Sequence, residues 1–445
     1  MGSIIDYART ETRGFSIHPF READALVLAQ LSYDDVPDCM PRLEGVESQY
    51  GTLRNRVKHF DFRHPFRSIR MLRQPPFDGI SIARADDELH HDRAVPDHDV
   101  ENVGLVDPQV THDFYHAVAA NPRFSDIEMG AFLEQFDDGE QTQFAAVTYR
   151  LPSGTLVVAF RGTDDSLVGW KEDFNMAFER DVPSQVSARA YLERVAPTVG
   201  GRIYVGGHSK GGNLAAYVAS TCSPEMAGRL ERVFSHDGPG FTAESLAASS
   251  WRERARLVSK TVPRSSLIGM LFEQQEEYSV VDSSTAGILQ HDPFSWVVEG
   301  CDFVRAKGIA RGAAALDETL NQWISSMTVE EREGFVNTLF SVLYASGEDT
   351  FASMAGNLQI TLPAMLDSLA ATDPEERRYL TRAVSLLLRA FVPEVSLPEV
   401  ALPESLAALQ SEGTALLARA RARAESAVGA DATQVAETSG ATDDA

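Results

Sequence analysis

The sequence predicts an α/β chain, a mostly parallel sheet flanked by helices, with helical additions at both ends and a disordered tail. Three observations carry this. Short apolar runs ("FAAVTYR", "TLVVAF", "RIYVGG", "RVFSHD", "ARLVSKTV", "YSVVD") alternate with helical segments between residues 124 and 300. That alternation marks a sheet covered by helices on both faces. One run passes through "GGHSKGG" directly into an Ala-rich helix. From Cys301 to about Val392 the pattern reads as helical, with a capping box from Thr328 to Glu331.

Bulk properties set the bounds. A chain of 445 residues accommodates one large domain and a smaller helical unit. Its 43% hydrophobic content is enough for a full core. Three cysteines, Cys39, Cys222 and Cys301, with no CxxC pair, argue against a disulfide scaffold and fit a reducing cytoplasm. A net charge of −25 repels phosphates, so nucleic acid is not an expected partner. The start, "MGSIIDYARTETRGF", lacks the apolar region of a signal peptide. Asp6 stands where a myristoylation signal wants Ser or Thr. No apolar run reaches the roughly 18 residues of a membrane span. The expected protein is cytoplasmic, without a transmembrane segment.

Residues 1–123 read as an N-terminal helical cap or flap region. Residues 19–36 carry apolar positions at helical spacing. Residues 52–74 are basic with interleaved aromatics. They read as a solvated helix or flap, or, more sharply, as a surface that meets an anionic lipid or substrate. "DDELHHDRAVPDHDVE" (86–101) is rich in His and Asp, but its spacing is irregular and Pro and charge dominate. An acidic loop is expected there, and no metal site. Residues 124–300 form the core, opening with strands Phe144–Arg150 and Thr155–Phe160 around the turn "LPSG". Residues 301–392 make the C-terminal helical segment. Residues 393–445 begin with Pro393, Pro398 and Pro403 at a five-residue spacing. That is an extended spacer leading into a disordered tail, with one amphipathic helix expected within it.

Gly207-His208-Ser209-Lys210-Gly211 matches G-x-S-x-G, a nucleophile elbow. Its serine occupies a strained strand-to-helix turn, and the two glycines remove side chains that would collide with the neighbouring strand and helix. A serine needs a base, and usually a carboxylate to orient it. Of eleven histidines only His236 and His291 follow Ser209. His291, in a loop after the last strand, is the expected base, and His236 a neighbour that points away. Asp237, in "HDGPGF", is the expected acid, with Asp282, Asp292 and Glu273 as fallbacks. An oxyanion hole would use the backbone N–H of Lys210 and the loop Arg161-Gly162-Thr163 after an earlier strand.

The motifs "FRGTDDSLVGWKEDFNMAF", "GGHSKGGNLAAYVA", "DGPGF", "SSLIGML" and "QHDPFSW" occur in order over roughly residues 17–345. Through them the chain resembles the fungal-type, class 3 lipases. It is more closely similar to a bacterial family of lipase-like proteins of largely unknown function. The resemblance implies an alpha/beta-hydrolase fold, with Ser209 as nucleophile, Thr163 as oxyanion residue, His291 as base and Trp170 as the loop indole. No cofactor is implied. Two positions depart from the lipase pattern: Ser265-Ser266 stands where the acid is usual, and Lys210 replaces an apolar residue. Lys210 has two readings. One is a structural ion pair with Asp164, Asp165, Glu172 or Asp173. The other is a cation beside the oxyanion hole that favours an anionic substrate.

The expected function is a serine esterase or lipase acting on an acyl ester or lipid, with peripheral lipid contact left open. Two rivals remain: a hydrolase-like scaffold used for binding or regulation, and a thioesterase or peptidase.

Overall fold

The computed structural model describes residues 2–91, 108–198, 201–247, 250–272 and 276–373, together with Arg377 and Leu380. Glu273, most of the expected acidic loop, the end of the C-terminal helical segment, and the spacer and tail lie outside the described residues.

Eight strands lie side by side in sequence order. They are β1 (Ile80–Ser81), β2 (Glu128–Asp137), β3 (Thr142–Arg150), β4 (Leu156–Phe160), β5 (Ile203–His208), β6 (Leu230–His236), β7 (Val258–Pro263) and β8 (Tyr278–Val281). β1 to β4 pair antiparallel, and β4 to β8 pair parallel. A separate hairpin joins β9 (Val298–Glu299) to β10 (Asp302–Phe303). The helical reading from Cys301 therefore starts too early. The next helix begins only at Arg311, because this hairpin precedes it.

Before and within the sheet come α1 (Ile4–Thr10), α2 (Glu22–Gln30), α3 (Leu43–Tyr50), α4 (Leu53–Lys58), α5 (Pro65–Arg73), α6 (Ile82–His91), α7 (Pro108–Ala120), α8 (Leu167–Asn175), α9 (Pro183–Val195) and α10 (Lys210–Thr221). Then follow α11 (Pro224–Ala227), α12 (Ala243–Ala247), α13 (Trp251–Arg254), α14 (Arg311–Ser325), α15 (Val329–Tyr344), α16 (Phe351–Gly356) and α17 (Leu358–Ala371).

The two-residue period of β4 explains the layering. Val157 and Ala159 face one core with α1, α2, α6 and α7. Leu156, Val158 and Phe160 face another with α9 and α10. A strand covered on both faces must be apolar throughout, and β4 is. Helices α1, α2, α6 and α7 thus form one layer on the sheet. A fully buried ion pair fixes them. Arg123 donates from Nε and Nη2 to the two oxygens of Asp24, each at 2.8 Å, and Tyr7 donates to Asp24 Oδ1 at 2.7 Å. A third apolar cluster joins α14, α15 and α17 to Trp170 and Phe174 of α8.

β2 escapes a pattern reading because its alternation breaks. The register shifts between Gly130 and Leu133, and Ala131 takes φ 52°.

Candidate active site

The parallel half of the sheet sends the ends of β5, β6, β7 and β8 to one edge, and the candidate residues gather there. Ser209 follows β5 at φ 57°, ψ −128°, a conformation that costs on the order of 1–3 kcal/mol and persists only where its surroundings impose it. Here they do. A Cβ on Gly207 would stand 2.3 Å from the carbonyl carbon of Gly211 and 2.7 Å from the oxygen of Phe160. One on Gly211 would lie 2.2 Å from that same Phe160 oxygen. Only glycines let the strand, the turn and α10 close this tightly. The Ser209 N–H donates to His236 O at 2.9 Å, which fastens the turn to the end of β6. Gly212 and Asn213 N–H return to Ser209 O at 2.9 and 3.3 Å. The N–H groups of Lys210 and Gly211 open the helix, where backbone donors favour negative charge.

His291 ends a 3-10 turn, Gly287–His291, that follows β8. Its Nε2 lies 3.0 Å from Ser209 Oγ, and its Nδ1 lies 2.7 Å from Asp237 Oδ2. Asp237 directly follows β6 at φ 51°, a region that Asp tolerates better than most residues. Its N–H is held by Thr261 O at 2.8 Å, and it is fully buried. The second carboxylate oxygen accepts from Ser266 Oγ at 2.5 Å. A Cβ at position 269 would lie 2.2 Å from that oxygen, so Gly269 leaves the carboxylate its room. Hydroxyl, imidazole and carboxylate form one chain of hydrogen bonds, able to pass a proton from Oγ to Nε2 while Nδ1–H stays on the carboxylate.

His208 stands beside this chain. Burial, helped by the nearness of His291, holds its pKa well below the ordinary 6.5, so it is neutral. Its Nε2 donates to His291 O at 2.9 Å, and the two rings lie 4.7 Å apart.

The other candidates are placed elsewhere. His236 is fully buried among Phe234, Trp296 and Phe303, with neither ring nitrogen bonded. Burial pushes its pKa down to about 4. Asp282 faces Arg264 at 3.5 Å, and Asp292 accepts from Phe294 N at 2.9 Å. Both carboxylates therefore have partners other than the His291 ring.

Around the oxyanion loop, Gly162 admits no side chain, since a Cβ would stand 2.0 Å from Tyr33 Oη and 2.7 Å from His208 O. Thr163 donates its hydroxyl to Asp173 Oδ2, and burial pushes the Asp173 carboxyl up to about 6. Arg161 sends its guanidinium to Glu134, 2.5 Å away. Trp170 packs edge-to-face on Phe351 at 5.6 Å, within the cluster under the C-terminal helices. None of these three side chains bonds to Ser209, His291 or Asp237.

Of its two readings, the Lys210 side chain forms the ion pair, with Glu172. It is fully buried, and Nζ donates to Gln143 O at 2.7 Å, to Gln143 Oε1 at 2.6 Å and to Glu172 Oε2 at 3.1 Å. Glu172 also accepts from the N–H groups of Gln143 and Ser184 at 3.0 and 2.7 Å. This network joins β3, α8, α9 and α10. The ammonium is buried and paired rather than free, so it gives no support to an anionic substrate. Only the backbone N–H of Lys210 remains at the site.

Sequence reasoning missed Ser266, Gly269 and the His208 contact. Ser266 and Gly269 lie in "SSLIG", a motif visible in the sequence but without a chemical role there. Among the described residues no cluster of three or more His, Cys, Asp or Glu could hold a metal ion, and no helix is long and apolar enough to cross a membrane.

A family model described as Mbeg1-like matches residues 118–341, half of the chain. Among solved structures the chain is similar to one described as M37 lipase, at 14% identity and a TM-score of 0.28. That likeness covers 36% of this chain and 63% of the lipase, so the chain spans less than two thirds of that protein. No curated protein matches.

Proposed function

The chain belongs to the Mbeg1-like family, a lipase-like family, and we propose that it is a serine hydrolase of the alpha/beta-hydrolase fold that cleaves carboxylic esters. The observation that carries the proposal is the continuous chain from Ser209 Oγ through His291 to Asp237, at 3.0 and 2.7 Å. Those are hydrogen-bond distances for a nucleophile, its base and an orienting acid.

In this mechanism Ser209 Oγ attacks the acyl carbonyl while His291 Nε2 takes its proton. Asp237 holds the Nδ1–H tautomer and stabilises the imidazolium once it forms. The backbone N–H groups of Lys210 and Thr163 receive the developing oxyanion, each donor contributing about 3 kcal/mol. His291 then protonates the leaving alkoxide. Water, deprotonated by the same imidazole, releases the acyl group. The elbow supports this reading, because its strain holds Oγ out at the sheet edge rather than in the core.

A p-nitrophenyl ester series tests it. The wild type should show a burst of one nitrophenolate per protein followed by slower turnover. Ser209→Ala and His291→Ala should show neither. Parallel thioesters and peptides decide the acyl class.

A further inference from the structure

We infer that the helical pair α4–α5 is a docking surface for anionic phospholipid membranes, independent of the reaction at Ser209. Two features coincide on it. The first is apolar exposure. Phe62 and Phe66 are 86% and 88% exposed, and Leu53, Val57 and Ile69 are 62%, 56% and 46% exposed. A concentration of large apolar side chains within seventeen residues marks a contact site rather than ordinary surface.

The second feature is charge. Residues 52–74 carry seven Lys and Arg against a single acid, Asp61, in a chain whose net charge is −25. Arg54, Lys58, Arg63, Arg67, Arg70 and Arg73 form no ion pair among the described residues. The overall negative charge does not cancel this patch. At physiological salt, charges beyond about 8 Å are largely screened, so a docking membrane feels the local cations. Aromatic groups beside free cations are the combination that inserts into an anionic headgroup layer. Single-stranded nucleic acid would use the cations and stack bases on Phe62 and Phe66, but leaves Leu53, Val57 and Ile69 in water, and a second copy docked face to face would set the seven cations against the same seven.

The pair is built rather than loose. Arg56 of α4 donates from Nη1 to Leu72 O of α5 at 3.2 Å, tying the two helices together, and from Nε to Tyr50 O at the end of α3 at 2.7 Å. In the turn between them, Ser68 Oγ accepts from Asp61 N at 2.9 Å and donates to Asp61 O at 3.0 Å. His64 Nδ1 lies 2.8 Å from the Asp61 carboxylate. The single acid is thereby held within the turn, and Phe62 is fixed facing outward.

Its anchorage separates this surface from the reaction. Gln74 donates to Thr198 O at 3.2 Å, just ahead of β5, and Phe77 lies 5.4 Å under the Arg150 guanidinium at the end of β3. Arg150 pairs with Leu156, the first residue of β4. The pair is therefore attached where the parallel strands begin, whereas Ser209 lies past the end of β5. It recruits the protein to a surface and is no lid.

The test is co-sedimentation of the full chain with large unilamellar vesicles, of phosphatidylcholine alone or mixed with phosphatidylglycerol, at low and high salt. The wild type should pellet with the mixed vesicles at low salt, and much less with phosphatidylcholine or at high salt. Phe62→Ser/Phe66→Ser and Arg67→Glu/Arg70→Glu should each lower partitioning about tenfold. Both should keep the wild-type melting temperature and soluble-ester turnover, because these side chains point to solvent. A wild type that stays in the supernatant, or variants that pellet like it, overturns the proposal. So does a wild-type dimer that dissociates in Phe62→Ser/Phe66→Ser, which assigns the face to a second copy. Tighter retention of wild type by a phosphate polymer such as single-stranded RNA than by vesicles also overturns it.

Discussion

Ser266 donates its hydroxyl to the outer oxygen of the Asp237 carboxylate, Oγ to Oδ1 at 2.5 Å, while the inner oxygen faces His291 Nδ1 at 2.7 Å. In the proposed mechanism this hydroxyl fixes the orienting acid, which the loop after β6 supplies. Asp237→Asn should lower kcat by about 10⁴, since an amide favours the wrong imidazole tautomer. Ser266→Ala should lower it about tenfold through loss of one charge-assisted bond. If steady-state kinetics give the two variants equal losses, Asp237 is not the orienting acid.

Lys210 gives a sharp contrast between stability and specificity. Lys210→Leu leaves Glu172 buried without its counter-ion, and should destabilise the fold by about 3–5 kcal/mol in urea unfolding. Its relative kcat/KM on anionic and neutral esters should match the wild type. A selective loss on the anionic ester would restore the ammonium to the site.

His236 sets part of the acid sensitivity. The unfolded chain takes up this proton near 6.5 and the folded chain only near 4. The unfolded state therefore binds more protons between those values. This contribution is fully present above pH 6.5 and falls away as pH drops through 4, by about 3 kcal/mol in all. His236→Phe, in a cage of Phe234, Trp296 and Phe303, should flatten the stability profile over that window and keep ester turnover. An unchanged profile in pH-dependent unfolding would refute the buried neutral imidazole, and lost turnover would return His236 to the site.

The positive φ of Ser209 predicts opposite signs for stability and activity. Ser209→Gly relieves a conformation that glycine adopts freely, and should raise stability by about 1 kcal/mol while abolishing turnover. A destabilised variant in thermal unfolding would mean that the turn is not strained.

His208 holds the backbone of His291, the proposed base. His208→Ala frees His291 O, and should reduce kcat more than it raises KM, because the imidazole loses its orientation rather than its substrate. A change confined to KM would place His208 in substrate binding.

What could be read from the sequence was local. "GGHSKGG" carries most of its logic in seven residues, since Gly207 and Gly211 press on one another, though both also press on Phe160 O of β4. The Asp237 pairing needed more, because its partner lies 54 residues away and the link depends on how β6 and the loop after β8 end. Asp237 and His291 could be named as residue types, but the role of the Ser266 hydroxyl could not, because Ser265-Ser266 reads in the sequence only as a missing carboxylate. Lys210 was ambiguous for a related reason. Its sequence neighbours the nucleophile, yet as the first residue of α10 its side chain projects into the protein toward β3 and α8. Helices α1 and α2 read as part of a cap because helical spacing gives the apolar face but not the surface it covers. The buried Asp24–Arg123 pair, which fixes them on the sheet, joins residues 99 positions apart.

The most direct test of the central claim is covalent. Intact-mass spectrometry after treatment with a fluorophosphonate should show one adduct per chain, mapped by peptide digestion to Ser209. The adduct should be absent in Ser209→Ala and should form far more slowly in His291→Ala. A wild-type chain that stays unmodified after prolonged exposure, or carries the adduct on another residue, contradicts a nucleophilic Ser209.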